Sequence, residues 1–305
     1  MPCAARAARG PRLAPALPAA SPRQMAAQYL KAWLAGQRAC VLWIEYSEYA
    51  GRVFAGDPAD WLGQATRYAN TVAQARKLVR TQVLTLDVLA PALCRTPAGA
   101  SPLERALAVV ADPLGKAFVS EVLDAWAHKF AGDIDLVLKL RSPIDLWCAL
   151  GASEPPSFDD LDDLSAACAA FIRSFADKPL AGLLISRTHT SPIDADEAEA
   201  CVPLLRAARH YGWVSALALD AALLPAGAGE LTAATDLLLG AELAPAALVS
   251  LNQSRRGFGG ALGDAFWQPA DPAPRPTEQL LYGSIPPSAN PERVLARCAT
   301  LPDGD

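Results

Sequence analysis

Short apolar runs alternating with longer amphipathic segments constrain this chain more than any other feature. Strands are expected at CVLWIE (40–45), VLTLD (83–87), IDLVLKL (134–140), LAGLLIS (180–186), WVSALAL (213–219), AALVSLN (246–252) and LLYGSI (280–285). Between them, residues 60–80 carry Leu62, Ala65, Ala69, Val72 and Ala73 at helical spacing. Residues 157–176 open on Ser157 with acids in the first turn, and residues 194–212 start acidic, end basic and close on Gly212. This order predicts βαβ units and a parallel sheet. The length of 305 residues suits an α/β fold of the (β/α)8 TIM barrel type, which takes about 250. The eighth strand is ambiguous. TDLLLG (235–240) reads equally as a strand or as a helix leading into AALVSLN, and the Gly- and Pro-rich stretch from Ser254 to Glu278 could hide one around LGDAFW. The expected barrel therefore has one strand degenerate or missing.

Composition narrows the function classes. Hydrophobic residues make up 52% and charged ones 19%, enough apolar material for a large core. A net charge of -5 and no basic run argue against nucleic acid, and no apolar run approaches the ~20 residues of a membrane helix. Seven dispersed cysteines without a CxxC pair indicate reduced thiols and a cytoplasmic protein rather than a disulfide framework or a zinc ribbon. Residues 1–24 hold four arginines, five prolines and no acid, and are expected to be a disordered tail preceding a single domain over 25–305. Translation could begin at Met25, the only methionine besides Met1.

Strand parity locates the candidate site. In the third strand Asp135, Val137, Lys139 and Arg141 share one face, and Ile134, Leu136, Leu138 and Leu140 the other. The apolar face suits outer helices, so the mixed face points into the barrel. The polar residues at the last strand positions are then Glu45, Asp87, Lys139 with Arg141, Arg187 with His189, Asp220, Asn252 with Gln253, and Tyr282. Carboxyl ends of barrel strands meet on the face that carries chemistry. Each residue also has a plainer role. Asp87 could cap its loop, Lys139 and Arg141 could pair with Asp135 or a neighbouring acid, and His189 could contact nearby backbone.

The order of elements resembles the uroporphyrinogen decarboxylase superfamily, which includes cobalamin-dependent methyltransferase partners and cobalamin-independent methionine synthase. QYLKAWLAGQRACVLWIEY is similar to its opening helix and first strand, and VLTLDVLAP to its second, with Asp87 at the place of the catalytic aspartate. LVLKLRSPIDLWCALG resembles the segment with Ser142 and Pro143 at a turn, and YGSIPPSANPERVL the closing segment through Ile285, Pro287, Pro291, Glu292 and Val294. Departures accompany these matches. Glu45 stands where the family has cations, the family's tyrosine falls near Ala149 and its histidine near Gly283, and the methyltransferase zinc ligands are absent from ALALDA and Ser284. The resemblance implies a metal-free and cofactor-free decarboxylase-like lyase for a small acidic molecule. Asp87 and His189 would be catalytic; Glu45, Lys139, Arg141, Arg187, Asp220, Asn252 and Tyr282 would bind substrate. The alternatives are a methyltransferase of the same superfamily and an inactive relative serving as a binding subunit. A homodimer is compatible with any of them.

Overall fold

The computed structural model describes residues 28–302 apart from 57–60, 96–100, 131, 153, 190–192, 221–230, 232–233, 255–256 and 270–276. The proposed tail and alternative start lie outside the described residues. Eight parallel strands follow one another around a ring: β1 (Val41–Glu45), β2 (Val83–Asp87), β3 (Asp135–Arg141), β4 (Leu180–Ser186), β5 (Val214–Ala218), β6 (Leu237–Gly240), β7 (Phe258–Ala261) and β8 (Leu280–Ser284). Helices cover the outside, so the protein is a (β/α)8 TIM barrel. No strand is missing; β6 and β7 are merely four residues each.

Side-chain alternation divides the core in two. Val41, Trp43, Val83, Val137, Leu184, Val214, Leu239 and Tyr282 fill the barrel. Leu42, Ile44, Leu84, Leu86, Leu136, Leu138 and Leu140 face outward and pack with the helices. The mixed face of β3 thus points inward, as its parity requires.

Three helical segments differ from the pattern expected of them. AALVSLN lies in the helix Pro245–Ser254, not in a strand. LGDAFW contributes the short helix Asp264–Trp267, while the strand of that region is FGGA. The helix expected over 194–212 is divided at Cys201 into Ala195–Ala200 and Val202–His210, with Pro203 in the first turn of the second piece. Among the described residues, no helix is long and apolar enough to cross a membrane.

The barrel is closed by hydrogen-bonded ladders except between β1 and β2. Side chains bridge that seam. Thr81 Oγ1 accepts from Ile44 N (3.2 Å) and donates to Leu42 O (3.0 Å), while Gln82 Oε1 accepts from Leu42 N (2.6 Å) and Gln82 N donates to Leu42 O (2.9 Å). These bonds satisfy strand edges that would otherwise be bare. Thr81→Val keeps the shape but strands the Ile44 amide, so it is expected to cost about 1–3 kcal/mol. A melting temperature lower by about 3–8 °C, read by calorimetry, would follow; an unchanged value would show that Thr81 does not hold the seam.

The N-terminal end of the barrel is plugged by the helix Tyr29–Leu34, which inserts Leu30 and Trp33 into the inner cluster. Leu30 N donates to Asp135 Oδ2 at 2.8 Å. Asp135 is fully buried, and burial drives its pKa up to about 7, against the opposing pull of the Leu30 and Tyr29 amides and of Lys31 and Arg38. The unfolded carboxyl titrates near ~3.9. Between those values the folded chain holds a proton that the unfolded chain has released, so this group's contribution to stability falls as pH rises from about 4 to 7. Asp135→Asn, which resembles the protonated acid, is expected to be more stable than the parent at pH 8 by on the order of a few kcal/mol and nearly equal at pH 4. Urea unfolding at both pH values checks this, and equal pH slopes in the two proteins would refute it.

Candidate functional site

Inward-facing residues become polar at the carboxyl ends of β1, β2 and β3, where apolar side chains would be left facing water. Asp87 and Lys139 are paired in register on adjacent strands, and Glu45 ends β1 across the seam. Lys139 Nζ reaches Glu45 Oε2 at 2.5 Å, and Tyr282 below donates its hydroxyl to Glu45 Oε1 at 3.4 Å. The three strand-end residues line a cavity of about 310 Å3 at the barrel mouth, together with Glu48, Thr85, Asp264 and Ser284.

The electrostatics follow from this enclosure. Burial would lower the Lys139 pKa, but the Glu45 carboxylate, with Asp87 and Glu48 beyond it, outweighs that effect and raises it. The amine is therefore held as an ammonium. Burial, and then the adjacent Glu45 charge, pushes the Tyr282 phenol well above its usual value, so it remains a hydrogen-bond donor. Asp87 Oδ1 accepts from Leu89 N and Ala90 N, both at 3.1 Å, and so braces the turn that leads into the short helix Ala90–Leu93. Its capping role is real, and it leaves Oδ2 for a ligand in the cavity.

Other expected site residues are elsewhere. Arg187 is buried in a two-pronged pair with Glu197 (2.7 and 2.9 Å) and also donates to His189 O, so its guanidinium is directed away from the mouth. His189 is an exposed loop residue whose backbone N donates to Asp145 Oδ1 at 3.0 Å; it does not line the cavity. Asn252 belongs to the helix Pro245–Ser254, where its Oδ1 accepts from Gly257 N and Phe258 N and its Nδ2 donates to Phe258 O, fastening the start of β7. Asp220 is exposed and outside the cavity lining. Arg141 adjoins Ser186 across the β3–β4 register, one inward position beyond Lys139, and does not line the cavity either.

Glu48, Ser47, Thr85, Tyr68, Asp264 and Ser284 line the cavity without having been singled out in the sequence. Glu48 had a signal, since it lies three residues beyond Glu45 on the short helix Ser47–Ala50. Asp264 had none, because its position depends on where β7 ends. Among the described residues, no group of three His, Cys, Asp or Glu side chains has an arrangement that could hold a metal ion.

No family model matches the chain, and no curated protein matches it. A solved structure from Burkholderia cenocepacia J2315, described as that of a candidate phosphonomutase, aligns over 84% of this chain and 90% of its own at 18% identity, with a TM-score of 0.43. A likeness that distant carries no argument about activity. The expectation of a uroporphyrinogen decarboxylase-like protein is corrected on these findings, since no model of that or any other family and no curated protein matches. With it go the decarboxylase, the methyltransferase and the inactive-relative functions that the resemblance implied. These comparisons assign the chain to no family.

Proposed function

We propose that the barrel mouth is an active site that moves a proton to or from a carbon next to a carbonyl group in a small polar substrate. In the forward step the C–H electron pair becomes the enolate, the proton passes to Asp87 Oδ2, and the carbonyl oxygen takes the negative charge. The Lys139 ammonium stabilises that oxyanion, and Glu45 keeps the ammonium charged and oriented. Return of the proton to the same or another position regenerates the carboxylate and completes an exchange or isomerisation. The observation that carries this reading is the Lys139–Glu45 contact of 2.5 Å beside Asp87 in one cavity.

Charge limits the substrate. Among the described lining residues, Glu45, Glu48, Asp87 and Asp264 oppose the single cation Lys139. A ligand with several carboxylates would meet a negative wall, so the small acidic molecule expected from the sequence carries at most one anionic group here. The free described cysteines fit a cytoplasmic setting.

The test is proton NMR in deuterated water on a panel of small ketones, aldehydes, hydroxy acids and keto acids. Protein-dependent loss of a C–H signal, strongly slowed in Lys139→Met and Glu45→Gln, is the expected result. Exchange at the parent rate in both variants, or no exchange with any compound, overturns the proposal.

A further inference from the structure

A second cavity of about 480 Å3 opens beside the first and shares Ser47, Glu48, Tyr68, Asp87 and Pro287 with it. These shared residues form the neck between two lobes. The outer lobe is walled by Trp61, Leu62 and Ala90, with Arg52 at its exposed edge. From this juxtaposition we infer that the outer lobe takes a ring-sized apolar group bearing one acidic substituent, so that the ligand of the barrel mouth is bipartite. The inference rests on the proton-transfer reading only for the identity of the ligand's other end.

Three observations support it. First, the wall is built in advance. The Trp61 indole stacks on Tyr68 with centroids 4.6 Å apart and 7° between planes, and on its other contact it lies against Gly51, where a Cβ would come within 2.3 Å of the ring. A pocket of this size with apolar walls and few polar groups is typical of small-molecule sites. Second, Trp61 is buried, yet its Nε1 has no hydrogen-bond partner among the described residues. That nitrogen is sealed from solvent and lies where a Gly51 Cβ would come within 2.9 Å, so the indole is held in place by packing alone. Third, Gly51–Ala55 is a π-helix, a local widening found often at functional sites, and it carries Arg52. Arg52 forms no ion pair or hydrogen bond among the described residues, which leaves its guanidinium for a carboxylate or other planar anion. The negative charge of the ligand is thus read at the outer rim, away from the carboxylates of the mouth.

Fragment binding to the full chain tests this, using 4-(hydroxymethyl)benzoate, its uncharged counterpart 4-methylbenzyl alcohol, and the ringless 4-hydroxybutyrate. Titration by ligand-observed NMR should rank the benzoate tightest, the alcohol weaker by about tenfold, and hydroxybutyrate without saturation. Arg52→Gln should bring the benzoate to the level of the alcohol and leave the alcohol unchanged. Leu62→Trp should remove binding of both ring compounds, and Ala90→Leu, from a different wall, repeats that block should the first variant not fold. Hydroxybutyrate binding as well as the benzoate, or ring binding that persists in both blocked variants, overturns the inference. The two readings fail separately. Ring binding without carbon proton exchange on any substrate leaves the lobe and removes the proton transfer; exchange without ring binding does the reverse.

Discussion

Lys139→Met is expected to lose about a hundred- to a thousandfold in the exchange rate, with binding of uncharged ligands little altered. The magnitude is that of removing one donor from a developing oxyanion in an enclosed site, where no reorganised water substitutes for it. The same substitution leaves Glu45 without its cation. Side-chain exposures of 24% for Lys139 and 12% for Glu45 place the pair between a surface pair and a buried one. Its loss should cost about 1–3 kcal/mol, less than the full penalty of a buried pair. Adding Glu45→Gln to Lys139→Met should recover part of that stability without restoring any exchange. That split separates the two roles of the lysine. A variant that regains rate along with stability would mean that Lys139 acts only by holding the fold.

The larger stability effect belongs to Arg187, one of the residues first assigned to substrate. Arg187→Met should lower stability by about 3–5 kcal/mol, because Glu197 would remain as a buried charge with no partner. The two side chains are 1% and 3% exposed, so solvent screens them hardly at all. A fall in melting temperature of about 10 °C is expected for a chain of this size. The double variant Arg187→Met with Glu197→Met should stand much closer to the parent, since two apolar side chains replace the pair in a dry site. A single variant as stable as the parent would refute the assignment. The surface pair Lys178–Asp124, with the aspartate 62% exposed, is a useful control whose loss should cost no more than about 1 kcal/mol.

Parts of this architecture could be read directly from residue order. VLTLD, IDLVLKL and LAGLLIS are strands within one residue of their expected bounds, because each is a β-branched or leucine-rich run between polar segments. Ser157 starts the helix expected there and forms a capping box with Asp160, a local interaction that needs no tertiary partner. The inward parity of Glu45, Asp87 and Lys139 was legible for the same reason, as alternation along a strand is a property of the backbone alone. It brought three of the nine named site residues to the cavity lining and Tyr282 into a hydrogen bond with one of them, Glu45.

What could not be read are the features decided by a distant neighbour. FGGA does not look like a strand, and it is one because β6 and β8 press on it from either side. A Cβ at Gly259 would come within 2.1 Å of Leu280 and 2.7 Å of Leu239, so the glycines that weaken the local signal are those the packing demands. AALVSLN has the composition of a strand or a helix, and Asn252 tips it by fastening the helix end to Phe258 and Gln279. Arg187 follows a strand as a substrate-binding cation would, and only the position of Glu197, ten residues on, turns it inward. A parallel barrel, and the end of it at which charge gathers, follow from periodicity and parity, which are local. Tertiary structure alone decided which charges meet, since a pair such as Lys139 and Glu45, ninety-four residues apart, exists only once the ring has closed.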